Sequence, residues 1–320
     1  MLTINLIFYV NFAVFAVFAT LLITEIMGSV LLLIAYDAAR KKVLEYIVPI
    51  WEVTGTFGAF WVVVSDFAYP SILLPAAYIF AVPLMLFLIL IVARNSTIVF
   101  GEYIIKKRWL DEKKLYIMYS LSTIILGLIV LAILSSIIGG AGIDIAGGTF
   151  SFSGWIGSPG SLLFIVGTLL IGLGLAPVFY GIKSFGFLSF PSTISGIFLS
   201  LLAYFFYLPS LLTLYIAIPV VLTILVPILY HLKSTSNLVA NKLVFVVVAT
   251  LIIFSLNPLV YPSAFGKSLS VDAVTTSGPM AQAFLLITVV GSILLAVMVA
   301  FYLVAVRRSY AAGAGKPTHQ

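Results

Sequence analysis

The chain has 320 residues, of which 63% are hydrophobic and only 8% charged, with a net charge of +6. A soluble domain covers its surface with about 25% charged residues, so this composition excludes a soluble enzyme, a nucleic-acid binder and a disordered scaffold. Lipid must be the solvent for most of the surface.

Cysteine is absent and there are two histidines. That excludes disulfides, thiolate metal sites and iron–sulfur clusters of the usual kind. The first apolar stretch is too long for a cleavable signal peptide and lacks a positively charged start. A membrane-crossing helix needs about 20 apolar residues. Nine stretches qualify, at roughly 5–36, 46–66, 71–94, 115–139, 160–182, 190–207, 209–231, 241–261 and 280–306. The sixth and seventh are divided only by Leu208 and Pro209. The expected fold is therefore all-α, a single polytopic membrane domain over 1–320. Its nine helices would group as two four-helix bundles plus one peripheral helix.

Nine spans place the termini on opposite sides. One set of loops then carries Arg40, Lys41, Lys42, Arg94, Lys106, Lys107, Arg108, Lys113, Lys114, Lys183, Lys233, Lys242, Arg307, Arg308 and Lys316, and the other carries only Lys267. Basic residues collect in cytoplasmic loops, so the N-terminus is expected outside and the C-terminus in the cytoplasm. The outer segments 140–159 and 262–279 are rich in Gly and Ser and read as irregular surface. The inner loop 95–114 is amphipathic and reads as lying along the headgroups.

Transmembrane haem is ordinarily held by His, sometimes with Met. His319 lies in the tail and His231 at the inner end of the seventh span, so no histidine pair faces a bundle core. A two-haem cytochrome b is excluded, and His231 reads best as an interfacial residue. Acids inside a bilayer are costly and point to an ion or proton path. Glu25 in the first span and Glu52 in the second both fall in the cytoplasmic half, at comparable depth, as a candidate proton pathway. Thr24, Thr54 and Thr56 extend the candidate hydrogen-bonded chain. Asp66, at the outer end of the second span, is a candidate exit, though a solvated acid at a helix end explains it more simply. Trp51 precedes Glu52 and is a candidate quinone contact, or an aromatic anchor at the interface. Glu102, Asp111 and Glu112 read as balancing nearby cations.

Several stretches together resemble subunit II of cytochrome bd-type quinol oxidases. They are Pro49-Ile50-Trp51-Glu52 opening the second span, Arg94 followed by Phe100-Gly101-Glu102-Tyr103, and NPLVYPSAFGKSLSVDAVTTSGPMAQAF at 257–284. The residues after the acid, Val53-Thr54, depart from the family's Gly-Asn. The resemblance implies a haem-free subunit that supports a haem-bearing subunit I, where quinol is oxidised by haems b and d. It also implies a structural quinone or lipid and a proton role for Glu52 with Trp51 beside it. No catalytic residue or metal ligand is expected in this chain. Two other readings remain open: a proton-coupled secondary transporter with broken helices near Pro83, Pro177 or Pro219, and a quinol-interacting membrane anchor of another oxidoreductase.

Overall fold

The computed structural model describes residues 2–103, 111–144, 147–207, 214–232 and 241–313. It is an all-α polytopic membrane protein. Helices α1 (Leu2–Ile34) and α2 (Tyr36–Ala68) meet at a corner one residue wide, Ala35. A short α3 (Leu73–Ile79) leads to α4 (Ala81–Tyr103), followed by α5 (Glu112–Gly139). A hairpin of β1 (Ile143–Asp144) and β2 (Thr149–Phe150) and a one-turn α6 (Phe152–Ile156) precede α7 (Pro159–Tyr180). A 3-10 turn at Lys183–Leu188 joins α7 to α8 (Ser189–Tyr207). Then come α9 (Leu214–His231), α10 (Lys242–Phe254), a second hairpin of β3 (Ser263–Ala264) and β4 (Leu269–Ser270), α11 (Val271–Val274) and α12 (Gly278–Gly313).

Among the described residues, eight helices are long and apolar enough to cross a membrane. Where the seventh span was expected lies α9, which is apolar and carries Pro219 and Pro227 inside the helix. The start of that expected span, 209–213, lies outside the described residues.

Local sequence explains most helix ends. Pro159 sits in the first turn of α7, where its missing N–H costs nothing. Gly140 (φ 73°) and Gly181 (φ 62°) close α5 and α7 in the left-handed conformation that glycine adopts without strain. The Asn241 side chain accepts from Leu243 N–H at 3.0 Å and starts α10.

Three expectations are corrected. The basic stretch around 37–45 is no loop but the first turns of α2, because nothing in it breaks a helix. The loop expected from 95 is helix as far as Tyr103, so Arg94 lies inside α4 and not in a loop. Its charge does not end the span because a partner on α1 neutralises it, as described below. The outer segments are not wholly irregular: each folds a two-stranded antiparallel hairpin, Ile143↔Phe150 and Ser263↔Ser270.

Helix α1 is the hub, packing on α2, α5, α7, α10 and α12. Arg40, Lys42, Lys113 and Lys242 gather at one end. Arg40 pairs with Glu112, Lys42 Nζ donates to Gly181 O at 2.5 Å, and Lys242 Nζ stands 5.2 Å from the Tyr46 ring centroid. At the other end, Phe265 N–H donates to Ile137 O at 2.5 Å and Thr276 N–H to Ala68 O at 2.9 Å, so the second outer segment caps α5 and α2.

The tightest seam joins α7 to α8. Small residues let backbones approach in a membrane. A Cβ added at Gly196 would stand 2.6 Å from Gly167 O, and one at Gly167 would stand 2.8 Å from Gly196 O. Backbone cannot step aside as a side chain can. Gly196→Leu is therefore expected to cost about 3 kcal/mol through overpacking, read as a lower midpoint of thermal unfolding in detergent. Gly55→Ala, whose Cβ meets nothing within 4 Å, should instead hold or raise that midpoint, since Ala favours helix over Gly by about 1 kcal/mol.

Candidate functional site

Glu25 is fully buried on α1, nearly three turns before the Ala35 corner. Its carboxylate forms an ion pair with the Arg94 guanidinium of α4, itself 3% exposed. Tyr119 of α5 donates its hydroxyl to the same carboxylate oxygen at 2.8 Å, and the Arg94 guanidinium carbon lies 5.7 Å from the Tyr119 ring centroid. Three helices thus converge on one charged pair inside the bundle. Burying two charges is costly, and the attraction repays it only where the groups meet closely and are hydrogen-bonded. Thr97 Oγ1 donates to Arg94 O at 2.8 Å and Thr123 Oγ1 to Tyr119 O at 2.8 Å, tying the backbone at both partners.

Glu52 stands elsewhere. Counted from the Ala35 corner, Glu25 is ten residues away and Glu52 seventeen, or ~15 and ~26 Å along their helices. The two acids therefore sit at depths ~10 Å apart, because α2 starts earlier than expected. Glu52 is exposed, whereas Glu25 is buried. Among the described residues nothing hydrogen-bonds the Glu52 carboxylate. Glu52 opens a stripe of exposed residues along α2: Gly55, Thr56, Ala59, Val62, Val63 and Asp66. Steps of three and four place them on one helix face. Trp51 is half-buried and packs against the main hydrophobic core.

The threonines do not join the glutamates. Thr24 Oγ1 donates to Leu21 O at 2.7 Å, so Tyr46 Oη is the donor in its 3.0 Å bond to Thr24. Thr54 and Thr56 donate to the backbone carbonyls of Ile50 and Glu52, at 3.1 and 2.9 Å.

No family model and no curated protein matches this chain. Among solved structures, the structure of bd oxidase from Geobacillus thermodenitrificans is similar, with a TM-score of 0.70 and 18% identity. The match covers 95% of this chain and 98% of that one. The chain has a bd-oxidase-like fold.

Within this bd-oxidase-like fold a haem would need His or Met as an axial ligand. His231 ends α9, and its Nε2 lies 3.0 Å from Ser189 Oγ, a bond that ties α9 to the start of α8. His319 lies outside the described residues. Among the described residues no three His, Asp or Glu side chains gather as metal ligands. Among the described residues, then, no pair of histidines faces a common core. An apolar groove of ≈70 Å³ lies between α1, α5 and α7, walled by Leu22, Ile26, Met27, Val130, Leu134 and Leu173. Its hydroxyl, Thr168, is already bonded to Phe164 O at 2.8 Å. Such walls suit an acyl or prenyl chain and offer nothing to a polar headgroup.

Sequence reading missed the roles of Arg94 and Tyr119. Arg94 was assigned to a loop because it ended an apolar run, and Tyr119 was one of 16 tyrosines. A signal for Arg94 was present: nine residues without Pro follow it to Tyr103, which argues for continued helix.

Proposed function

We propose that the chain is the haem-free subunit II of a bd-type terminal quinol:oxygen oxidoreductase, supporting a haem-bearing subunit I. The observation that carries this is the bd-oxidase-like arrangement over 95% of the chain, beside described residues in which no pair of histidines faces a common core. The electrons then travel in the partner. With the basic ends of the helices in the cytoplasm, the N-terminus lies outside.

The α2 stripe supports a partner chain. An acid facing lipid is costly, so Glu52 needs a covering surface, and Gly55 and Ala59 beside it let another helix approach closely. Glu52 then stands at the seam between subunits, where it passes protons toward the oxygen site of the partner. Trp51 orients that region from behind, and the α1–α5–α7 groove takes the tail of a structural quinone or lipid. Asp66 does not continue the route inside this chain. Ten residues separate it from Thr56, ~15 Å of helix, and the stripe between them is Ala59, Val62 and Val63.

Purification of the intact assembly tests the reading. A haem-bearing chain with b- and d-type absorption should accompany this one. Its absence would remove the proposal. Glu52→Gln should assemble normally yet slow oxygen reduction roughly tenfold or more, as loss of a proton-transfer group does. Unchanged turnover would make the glutamate a structural residue. The transporter and the other oxidoreductase anchor have no observation of their own in their favour.

A further inference from the structure

The apolar groove between α1, α5 and α7 does not stop at its walls. On α1 it is lined by Leu22, Ile23, Ile26, Met27 and Val30. Steps of three and four carry the same helix face on to Leu33 and Ile34. These two are 38% and 51% exposed, although α1 is the hub of the bundle. Covered apolar positions thus give way to open ones along one stripe as α1 nears the Ala35 corner. On α5, the lining residues Leu131 and Ile124 share a face with Ile117 and Lys113, at steps of seven and four. Ile117 is half-buried and Lys113 exposed. The groove therefore continues toward the basic end, between the last turn of α1 and the first turns of α5.

Its depth matches one leaflet. Ile34 and Ile23 are eleven residues apart, ~16 Å of helix, and each leaflet supplies half of a hydrocarbon core ~30 Å thick. A chain entering beside Ile34 ends at the level of Ile23, near the middle of the bilayer. The mouth has a different character. Lys113 Nζ stands 5.2 Å from the Tyr36 ring centroid, which holds the ammonium beside the corner. Lys114 follows it, exposed. Acids also stand at this end: Glu112 is paired with Arg40, and Asp37 and Asp111 are exposed. The hydroxyl within the groove, on Thr168, is spent on Phe164 O, so a polar head is served at the mouth and not inside. There a phosphate has a charge to set against the Lys113 ammonium, whereas a quinone ring has none.

We propose that the groove is the seat of a phospholipid from the leaflet at the basic end, one acyl chain lying between α1, α5 and α7 and the phosphate meeting Lys113. This narrows the tail left open above to a single lipid class, and it rests on the reading above for calling that leaflet cytoplasmic. The acyl chain takes the place of packing that the three helices do not supply to one another, and the phosphate fixes the depth at which it sits.

The test is a count of lipid bound to the purified assembly. Assembly stripped of lipid in detergent is offered dioleoyl phosphatidylglycerol and a long-tailed ubiquinone in equal amounts, washed, and weighed by native mass spectrometry. Lipid on a partner chain is common to every sample, so the difference between wild type and Gly172→Leu is what counts. A Cβ at Gly172 meets only Met27 Cγ, at 3.8 Å, so leucine has room to enter the groove. Wild type should hold one phosphatidylglycerol more per chain than Gly172→Leu, and Lys113→Gln should lower its retention severalfold. Equal retention in wild type and Gly172→Leu, ubiquinone in place of the phospholipid, or a Lys113→Gln chain that holds the lipid as tightly would overturn the proposal. Should Gly172→Leu fail to assemble, a high-resolution map of the wild-type assembly decides. Density for an acyl chain between Ile26, Ile124 and Leu173, joined to a phosphate beside Lys113, supports the phospholipid, and an empty groove removes it. Failure of the subunit reading shows separately, as a lipid-bearing chain without haem absorption.

Discussion

Arg94→Ala is expected to destabilise the chain by about 3–5 kcal/mol, because it leaves a buried carboxylate without its counter-charge. Glu25 is fully buried, and Tyr119 supplies its remaining hydrogen bond. One neutral hydroxyl does not replace a guanidinium. The paired replacement Glu25→Leu/Arg94→Leu removes both charges and fills the space with apolar atoms, which is often close to neutral. It should therefore be markedly more stable than Arg94→Ala alone. The two single variants and the double form a cycle whose coupling energy isolates the pair. Thermal unfolding in detergent reads all of them. An Arg94→Ala chain as stable as wild type would mean that the pair does not form. Tyr119→Phe should cost only about 1 kcal/mol, the net value of one hydrogen bond.

Gly55→Leu is the second large effect, expected on assembly and not on folding. A Cβ at Gly55 meets nothing within 4 Å in the chain's own fold, and Leu favours helix over Gly by nearly 1 kcal/mol. The variant should fold at least as well as wild type. Placed against another helix, the same side chain pushes the backbones apart where small residues let them meet. Haem absorption per milligram of purified chain should fall roughly tenfold. Phe198→Leu on α8, exposed at 61% and away from the α2 stripe in the chain, serves as the control and should retain the partner. If Gly55→Leu keeps its haem-bearing companion, the α2 stripe faces lipid and Glu52 needs another explanation.

Together these variants separate two acids that looked alike in the sequence. Both are glutamates within apolar runs, read at similar depth. In the structure one is locked in a charged pair between α1, α4 and α5, and the other lies exposed on α2. The difference follows from the one-residue corner at Ala35, which moves Glu52 nearly three turns further from the basic end than a span that starts at 46 would.

The all-α membrane architecture, the clustering of Arg40, Lys42, Lys113 and Lys242 at one end, and the presence of acids within spans were all legible from the residues alone. Each membrane helix satisfies its own backbone hydrogen bonds, so twenty apolar residues suffice to specify it without reference to any neighbour. Which helices touch was decided only by tertiary structure. The Arg94–Glu25 pair joins positions 69 apart, and the Gly167–Gly196 seam depends on how two helices cross. Lipid is as apolar as the side chains it meets, so hydrophobicity does not choose partners within the bilayer. Small residues and buried charges do, and their choices exist only once the helices stand side by side.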